Sequence, residues 1–197
     1  MMKVKGIAVL SALILAACAP QGASTGGPTT SASPSEVVTD SAGRVVRPRA
    51  DRNQDDSTGR AVLNQLRQSD AAAFKGVSVL AWDRAVLLTG AVAKPESRRR
   101  AEQLAKSVDG VALVFNDLIM AEDPAAIAFV PETGREQHIY AGLLGADDIT
   151  GAYVVRMVNG VVTLLGTART ADDVARATAF ARDAEGVKWV VEHVAVK

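Results

Sequence analysis

Apolar residues dominate two pairs of short runs, and two residues typical of a tight turn separate the runs of each pair. Residues 153–158 and 161–165 flank Asn159-Gly160, a dipeptide that favours a type I′ turn because both positions accept a positive φ. The earlier pair flanks Asp83-Arg84, and because arginine is a poorer turn residue we expect this loop to be less regular. The turns place apolar residues opposite each other on one face of each hairpin: Val79 with Leu88, Ala81 with Val86, Val155 with Leu164 and Met157 with Val162.

A helical pattern follows each hairpin, with apolar residues at positions i, i+3, i+4 and i+7. The first helix is predicted to start near Pro95, which suits the first helical position, and the second after Thr170, a good N-cap. Gly110 and Gly186 are typical of helix ends. The apolar stripes are Ala101, Leu104, Ala105 and Val108 in the first helix, and Ala177, Phe180, Ala181 and Ala184 in the second.

The two units are copies of one small domain. Residues 77–120 align with 153–196 at a constant offset of 76, and ten of the 44 aligned positions are identical. Most identical positions are apolar or glycine, so they mark structural positions rather than a shared active site. The remaining predicted elements are helices at 60–68 and 137–144 and last strands at 111–120 and 187–196. The fold class is therefore α+β, with two tandem α-β-β-α-β domains, each a small mixed sheet covered by two helices.

These residues carry a family resemblance. A hydrophobic strand, a turn, a Val-x-Leu-x-Gly motif, an alanine-rich helix and a closing Gly-Val-x-x-Val motif together resemble the BON domain. The motif residues are Val86, Leu88, Gly90, Gly110, Val111 and Val114 in the first copy, and Val162, Leu164, Gly166, Gly186, Val187 and Val190 in the second. The first copy departs from the family pattern at Arg84, where the turn glycine is expected. The resemblance places the two BON domains at 57–122 and 132–197.

The first residues predict export and lipidation. A short basic start is followed by an apolar stretch, residues 6–17, whose helix would span about 18 Å, too short for a bilayer core of roughly 30 Å. This arrangement is typical of a signal peptide, at residues 1–17. The sequence Leu-Ala-Ala-Cys ending at Cys18 resembles the lipobox, which implies that Cys18 becomes the lipid-attachment residue. An ordinary signal peptide with an incidental cysteine is the alternative.

Residues 18–56 are predicted to form a lipidated start and a mostly flexible linker. Residues 21–35 are rich in Gly, Ser, Thr, Ala and Pro, a composition that cannot bury enough apolar surface to order itself. Four arginines from Arg44 to Arg52 are interleaved with aspartates between residues 40 and 56, and this part is either a solvated linker or a patch for lipid headgroups. Ala19 after the cysteine implies, by resemblance to enteric lipoproteins, an outer-membrane anchor facing the periplasm.

Composition limits the chemistry of this chain. Its 22 basic and 22 acidic residues balance, which argues against nucleic-acid binding by bulk charge. One cysteine and two histidines leave little for a disulfide framework or a metal site. No nucleophile motif or phosphate loop is present. We therefore expect no enzyme activity, no metal, no small-molecule substrate and no cofactor apart from the covalent lipid on Cys18.

Two groups of residues are candidates for binding. Tyr140, Leu143 and Leu144 exceed what one buried helical stripe needs and are candidates for contact with phospholipid, the alternative being that they form core. The sheet faces turned away from the helices are apolar and need cover. On these faces Trp82, Phe115 and Trp189 are candidates for an inter-domain interface or for a partner surface.

The resemblance implies a function at the cell envelope. BON domains are generally thought to engage phospholipid, and in lipoproteins with two copies the second copy is the one implicated. We expect an outer-membrane lipoprotein that binds anionic phospholipid and supports envelope integrity. The alternative is a protein-interaction scaffold or an accessory factor for outer-membrane assembly or division proteins.

Overall fold

The first domain is built around a central strand that pairs on both sides. A computed structural model describes residues 37–197, and everything below concerns that part of the chain. β1 is antiparallel to β2, whereas β3 and β4 are both parallel to β2. The elements are α1 (Arg49–Asp70), β1 (Val77–Trp82), β2 (Ala85–Val92), α2 (Pro95–Lys106), β3 (Leu113–Asn116) and β4 (Ile119–Met120).

The second domain repeats this arrangement with a continuous last strand. Its sheet has the order β5-β6-β7, with β5 antiparallel and β7 parallel to β6. A 3-10 helix (Ile127–Phe129) lies between the domains. The elements are α3 (Thr133–Gly145), β5 (Ala152–Val158), β6 (Val161–Ala168), α4 (Ala171–Arg182) and β7 (Trp189–Val196). The predicted fold class, two tandem α+β domains with small mixed sheets, is confirmed.

The last strand of the first domain is interrupted, unlike the continuous run predicted for 111–120. Leu118 is buried in the core between β3 and β4. The Arg98 side chain donates hydrogen bonds to the carbonyl oxygens of Asn116 and Leu118, at 2.6 and 2.9 Å. The carbonyls of this break are thus bonded to a helix side chain instead of to a strand.

Each domain has its own hydrophobic core between the helices and one face of the sheet. The first contains Val62, Leu66, Phe74, Val77, Val86, Leu88, Val92, Ala101, Ala105 and Leu118. The second contains Ile139, Leu143, Ile149, Tyr153, Val155, Met157, Val162, Leu164, Ala168, Ala177 and Ala181. The predicted cross-strand pairs occur in both hairpins. The position of each two-residue turn therefore fixes the register of its hairpin, and with it the set of side chains that share the core face.

The turn at Asp83-Arg84 is as regular as its counterpart, contrary to expectation. Both residues have positive φ, 46° and 69°, as Asn159 and Gly160 do, at 51° and 76°. Tertiary bonds support the less suited residues. The Asp83 backbone N–H donates to Asp55 Oδ1 at 2.9 Å, and Arg84 Nε donates to the carbonyl of Gly110 at 3.3 Å.

Helix α1 begins at Arg49, inside the segment 18–56 predicted as linker. Its inward positions are Asp55, Thr58, Val62 and Leu66, all buried and spaced three or four residues apart. The first of these, Asp55, carries a carboxylate, so a search for periodic apolar residues does not detect this turn of the helix. A buried aspartate is tolerated here because Arg47 binds it, with Nε and Nη2 at 2.9 and 3.0 Å from its oxygens.

Candidate functional site

Helix α3 exposes two apolar side chains. Ile139 and Leu143 point into the core, whereas Tyr140 and Leu144 remain 39% and 54% exposed. Leu143 is only 3% exposed and packs in the core, so it does not share the outer surface of α3 with the other two phospholipid candidates. The reason is the spacing of Ile139 and Leu143, which lie one turn apart on the face against β5 and α4. Tyr140 and Leu144 form the adjacent exposed stripe.

Residues 37–48, which we call the strap, run from the second domain to the start of α1. Thr39 and Val45 form an isolated antiparallel bridge. Arg44 donates to the carbonyls of Leu144 and Ala146, at 2.8 and 3.1 Å, and pairs with Asp147 at 3.2 Å. These bonds occupy carbonyls at the C-terminal end of α3, where helix carbonyls lack intrahelical partners. The strap is therefore bound to the helix that carries Tyr140 and Leu144.

Arg47 joins the strap to the first domain. It pairs with Asp55 at 2.9 Å and with Asp83 at 3.5 Å, and its guanidinium carbon lies 5.3 Å from the Trp82 ring centre. Burial raises the pKa of the Asp55 carboxyl, and the hydrogen bond and charge of Arg47 oppose that rise. Lys197, the last residue, pairs with Asp83 from the other side at 2.6 Å. Both domains and the strap thus meet at one charged cluster.

A cleft of about 510 Å³ lies between the strap, α1, α3, β1 and β5. Tyr140 and Leu144 stand at its α3 side, and Trp82 and Tyr153 contribute aromatic surface. Four arginines line it, of which Arg49 and Arg52 are exposed on the first turn of α1. Because Asp40, Asp55 and Asp56 also line it, the cleft combines apolar surface with a small excess of positive charge.

The outer sheet faces of the two domains pack against each other in a seam. Trp82, Leu87 and Leu165 are buried there, with Leu80, Ala85, Phe115, Ala152 and Val154 packed around them. Trp82 Nε1 donates to Thr167 Oγ1 at 3.0 Å. Trp82 and Phe115 thus lie where the two sheets meet. Trp189 does not, since it is 67% exposed at the start of β7.

A polar contact and two small cavities lie along the same seam. His193 Nε2 and Asp117 Oδ2 are 2.9 Å apart, and the His193 ring stacks on Phe115 with centroids 3.9 Å apart. The cavities have volumes of about 200 and 170 Å³. His193 therefore joins the domains, whereas His138 lies exposed on α3.

Residues 37–197 show little else that could carry chemistry. No group of three or more His, Cys, Asp or Glu side chains in this range is placed to hold a metal ion. The helices of this range are all too short or too polar to span a bilayer. Cys18 lies outside the described residues, so its lipidation stays a prediction.

Sequence reasoning missed the strap and the cleft. A signal was present in the spacing of Asp51 and Asp55, which lie one helical turn apart, so that both can face Arg47 just before the helix. The pairing that orders this segment also involves Asp83, which is distant in sequence. Periodicity in a local window cannot show such a contact.

The chain resembles two curated proteins along much of its length. It is 28% identical over 126 residues to the Anaplasma centrale protein named "Uncharacterized protein in gshII 5'region", covering 63% of this chain and 83% of that protein. It is 30% identical over 124 residues to osmotically-inducible protein Y of Escherichia coli strain K12, covering 61% of this chain and 62% of that protein. The match thus spans less than two thirds of the second relative.

Two solved structures show a weak likeness. Both are of CdsD, a structural protein of the type III secretion system of Chlamydia trachomatis, and are 18% and 19% identical to this chain. They cover 73% of this chain, and 63% and 67% of their own chains, with TM-scores of 0.28 and 0.29. Scores this low carry no argument about function.

The family model for the BON domain matches residues 54–122 and 133–197. The first match starts inside α1 and the second at the first residue of α3, so each contains one complete hairpin, helix and last strand. The predicted pair of BON domains is confirmed, and the chain is also related to the E. coli protein. The chain belongs to the BON-domain family and carries two BON domains in tandem.

Proposed function

We propose that this protein is a non-enzymatic lipoprotein of the outer membrane, anchored through Cys18, that faces the periplasm and binds anionic phospholipid. Its role is to support envelope integrity. Membership of the BON family and the relation to osmotically-inducible protein Y support a place at the envelope. The lipid contact is the more specific part of the proposal.

The observation that carries the lipid contact is the exposed stripe of α3 beside basic residues. Tyr140 and Leu144 are an aromatic and an aliphatic side chain on the solvent side of one helix. Tyrosine favours the interface between headgroups and acyl chains, and exposed leucine gains from leaving water. Arg49 and Arg52 on the same cleft supply positive charge for headgroup phosphates. This local patch does not need a positive net charge, which the chain lacks.

Vesicle co-sedimentation tests this contact. The sample is the chain from residue 18 to 197 with Cys18→Ser, so that no covalent lipid contributes. We expect it to sediment with vesicles of phosphatidylglycerol and phosphatidylethanolamine. Leu144→Glu or Tyr140→Glu should reduce binding by about tenfold, because a carboxylate at the membrane surface adds desolvation cost and repulsion.

Val196→Glu is the matched control. Val196 lies at the end of β7 and is 53% exposed, against 54% for Leu144, so both variants add one charge at an equally exposed apolar position. If Val196→Glu weakens vesicle binding as much as Leu144→Glu, the contact is not specific to α3 and the proposal fails.

Metabolic labelling with palmitate tests the anchor. We expect label in the wild-type chain and none in Cys18→Ala, because the thiol is the attachment atom. Fractionation of the membranes then places the labelled protein. Label that persists in Cys18→Ala would contradict lipidation at this residue.

A protein-interaction scaffold for outer-membrane assembly or division proteins is a second candidate. It is favoured by apolar residues left uncovered at the sheet margins, namely Leu113, Ile119, Met120 and Trp189. This candidate predicts that Trp189→Ala impairs envelope integrity in cells while vesicle binding stays unchanged. The lipid proposal instead predicts that Leu144→Glu weakens vesicle binding and that Trp189→Ala leaves envelope integrity unchanged.

A further inference from the structure

Part of the lining of the cleft beside α3 is apolar, and we call this part the apolar wall. Its volume of about 510 Å³ falls within the roughly 300–1,000 Å³ typical of small-molecule sites. A surface contact with a membrane through Tyr140 and Leu144 does not require such a cavity. The wall residues are Val45, Val46, Ala81, Leu143, Ile149, Ala152 and Val154.

The four arginines that line this cleft fall into two groups, those bonded to other residues and those exposed to solvent. Arg44 is bonded to Asp147 and to backbone carbonyls, and Arg47 is bonded to Asp55. Arg49 and Arg52 are exposed, and neither has an ion-pair partner within residues 37–197. Two arginines with open donors therefore border the apolar wall.

Arg49 and Arg52 are three residues apart in one helix, so their side chains share a face. A guanidinium group offers several donors in a plane and binds phosphate oxygens in pairs. Asp56 also lines the cleft, and its carboxylate would repel a bound anion. Asp40 would repel the anion less strongly, because its carboxylate already accepts hydrogen bonds from the backbone N–H groups of Ala42 and Arg44, both at 2.9 Å.

We infer that the cleft holds one molecule of anionic phospholipid. Its phosphate binds between Arg49 and Arg52, and an acyl chain lies on the apolar wall and leaves past Tyr140 and Leu144. This inference deepens the proposed function and rests on it, since the membrane contact delivers the lipid to the cleft. The first turns of α1 and the strap, which lie upstream of the first BON match at residue 54, thereby become part of the binding site.

A soluble short-chain lipid separates binding in the cleft from adsorption to a membrane. The probe is dihexanoyl phosphatidylglycerol below its micelle concentration, added to the chain 18–197 with Cys18→Ser and Trp189→Phe. Trp82 lines the cleft and is then the sole tryptophan, so its fluorescence reports occupancy. We expect saturable binding, weakened by about tenfold or more in R49E/R52E because charge-assisted hydrogen bonds are lost.

Three variants refine the test. R99E/R100E makes the same change of charge on α2, away from the cleft, and should leave the affinity unchanged. R49Q/R52Q removes the positive charges without adding negative ones and should weaken binding less than R49E/R52E. Asp56→Asn should tighten binding. Circular dichroism spectra should match the parent chain for all of them, because these side chains are exposed.

Four results of these binding experiments would overturn the inference. The first is displacement of the short-chain lipid by inorganic phosphate or by hexyl glucoside at concentrations similar to those of unlabelled lipid, since the inferred site requires a ligand with both a phosphate and an acyl chain. Vesicle binding without binding of the short-chain lipid would overturn the inference and leave the proposed function standing. If the chain bound neither vesicles nor the short-chain lipid, both the inference and the proposed lipid contact would be overturned. An equal loss in R99E/R100E would show a general charge effect and also overturn the inference.

Discussion

The polar residues around the start of α4 are bonded to one another, and two of them, Tyr153 and Asp173, are buried. Thr170 Oγ1 accepts a bond from the Asp173 backbone N–H at 3.1 Å, which caps the helix. Burial disfavours the Asp173 carboxylate, but bonds from Arg176 and Thr170 outweigh this and hold the pKa of Asp173 below its ordinary value. The Tyr153 hydroxyl donates to the Asp173 carbonyl at 3.3 Å. Burial and the nearby charge of Asp173 raise the pKa of Tyr153 to about 12.

Stability should therefore fall in alkaline solution. The pKa of Tyr153 rises from 10.0 to about 12 on folding, so the unfolded chain releases this proton at lower pH than the folded chain. The contribution is complete below pH 10 and is lost as the pH rises to about 12. In Tyr140→Phe, the near-ultraviolet tyrosinate absorbance should titrate with a midpoint near that upper value. A midpoint near 10.0 would show that Tyr153 is not buried as described.

At the scale of elements, the glycine of the Val-x-Leu-x-Gly motif is explained by strand spacing. A Cβ on Gly166 would lie 2.2 Å from the carbonyl oxygen of Ala152, and one on Gly90 would lie 2.0 Å from that of Gly76. These contacts are with backbone, which cannot rotate away. Each hairpin therefore needs glycine where the end of its second strand crosses the start of the first.

Gly166→Ala should destabilise the protein by about 2 kcal/mol or more, because the backbone of β5 or β6 must shift. Gly134→Ala is the control, since no atom lies within 4 Å of its Cβ position in α3. Alanine also has the higher helix propensity there, so stability should be equal or higher. Thermal unfolding of both variants measures the difference, and similar melting temperatures would refute the explanation.

The elements differ in how far their sequence determined them. The hairpins follow from apolar runs flanking two-residue turns, and helices α2 and α4 follow from the helical periodicity of their apolar residues. The N-terminal turns of α1 do not, since Asp55 is buried only because Arg47 and the Asp83 turn bond to it. For the site, periodicity indicates that α3 has spare apolar residues. Only packing decides that Leu143 is core and Leu144 is exposed.

At the scale of the described chain, residues 37–197, the two domains are held together by the seam and by the cluster around Arg47. The two outer sheet faces, apolar in both copies, cover each other through Trp82, Leu87 and Leu165. The sequence indicates that such faces need cover, because large apolar patches rarely stay exposed. It does not indicate that Trp189 lies beyond the covered area, because coverage depends on how the two sheets align.

The two tryptophans should differ sharply in fluorescence. Trp82 is 5% exposed and Trp189 is 67% exposed. In Trp189→Phe the remaining emission should be blue-shifted and poorly quenched by acrylamide. In Trp82→Phe it should be red-shifted and strongly quenched. Equal quenching in the two variants would mean that the sheets do not pack face to face in solution.

The contact between His193 and Asp117 has a consequence for how the two copies relate. The residues are 76 positions apart, which is the offset of the repeat, so each is the counterpart of the other. The two seam cavities are likewise lined by counterparts: Thr89 and Leu165, Gly90 and Gly166, Asp117 and His193, Val158 and Trp82, Asn159 and Asp83, Val161 and Ala85.

The seam therefore has the local two-fold symmetry of an isologous dimer, with both halves in one chain. Two identical copies would bring like residues together at its centre, and two aspartates at the Asp117 position would repel each other. The divergence of this position into aspartate and histidine turns that repulsion into a hydrogen bond. It also makes the two domains complementary rather than interchangeable.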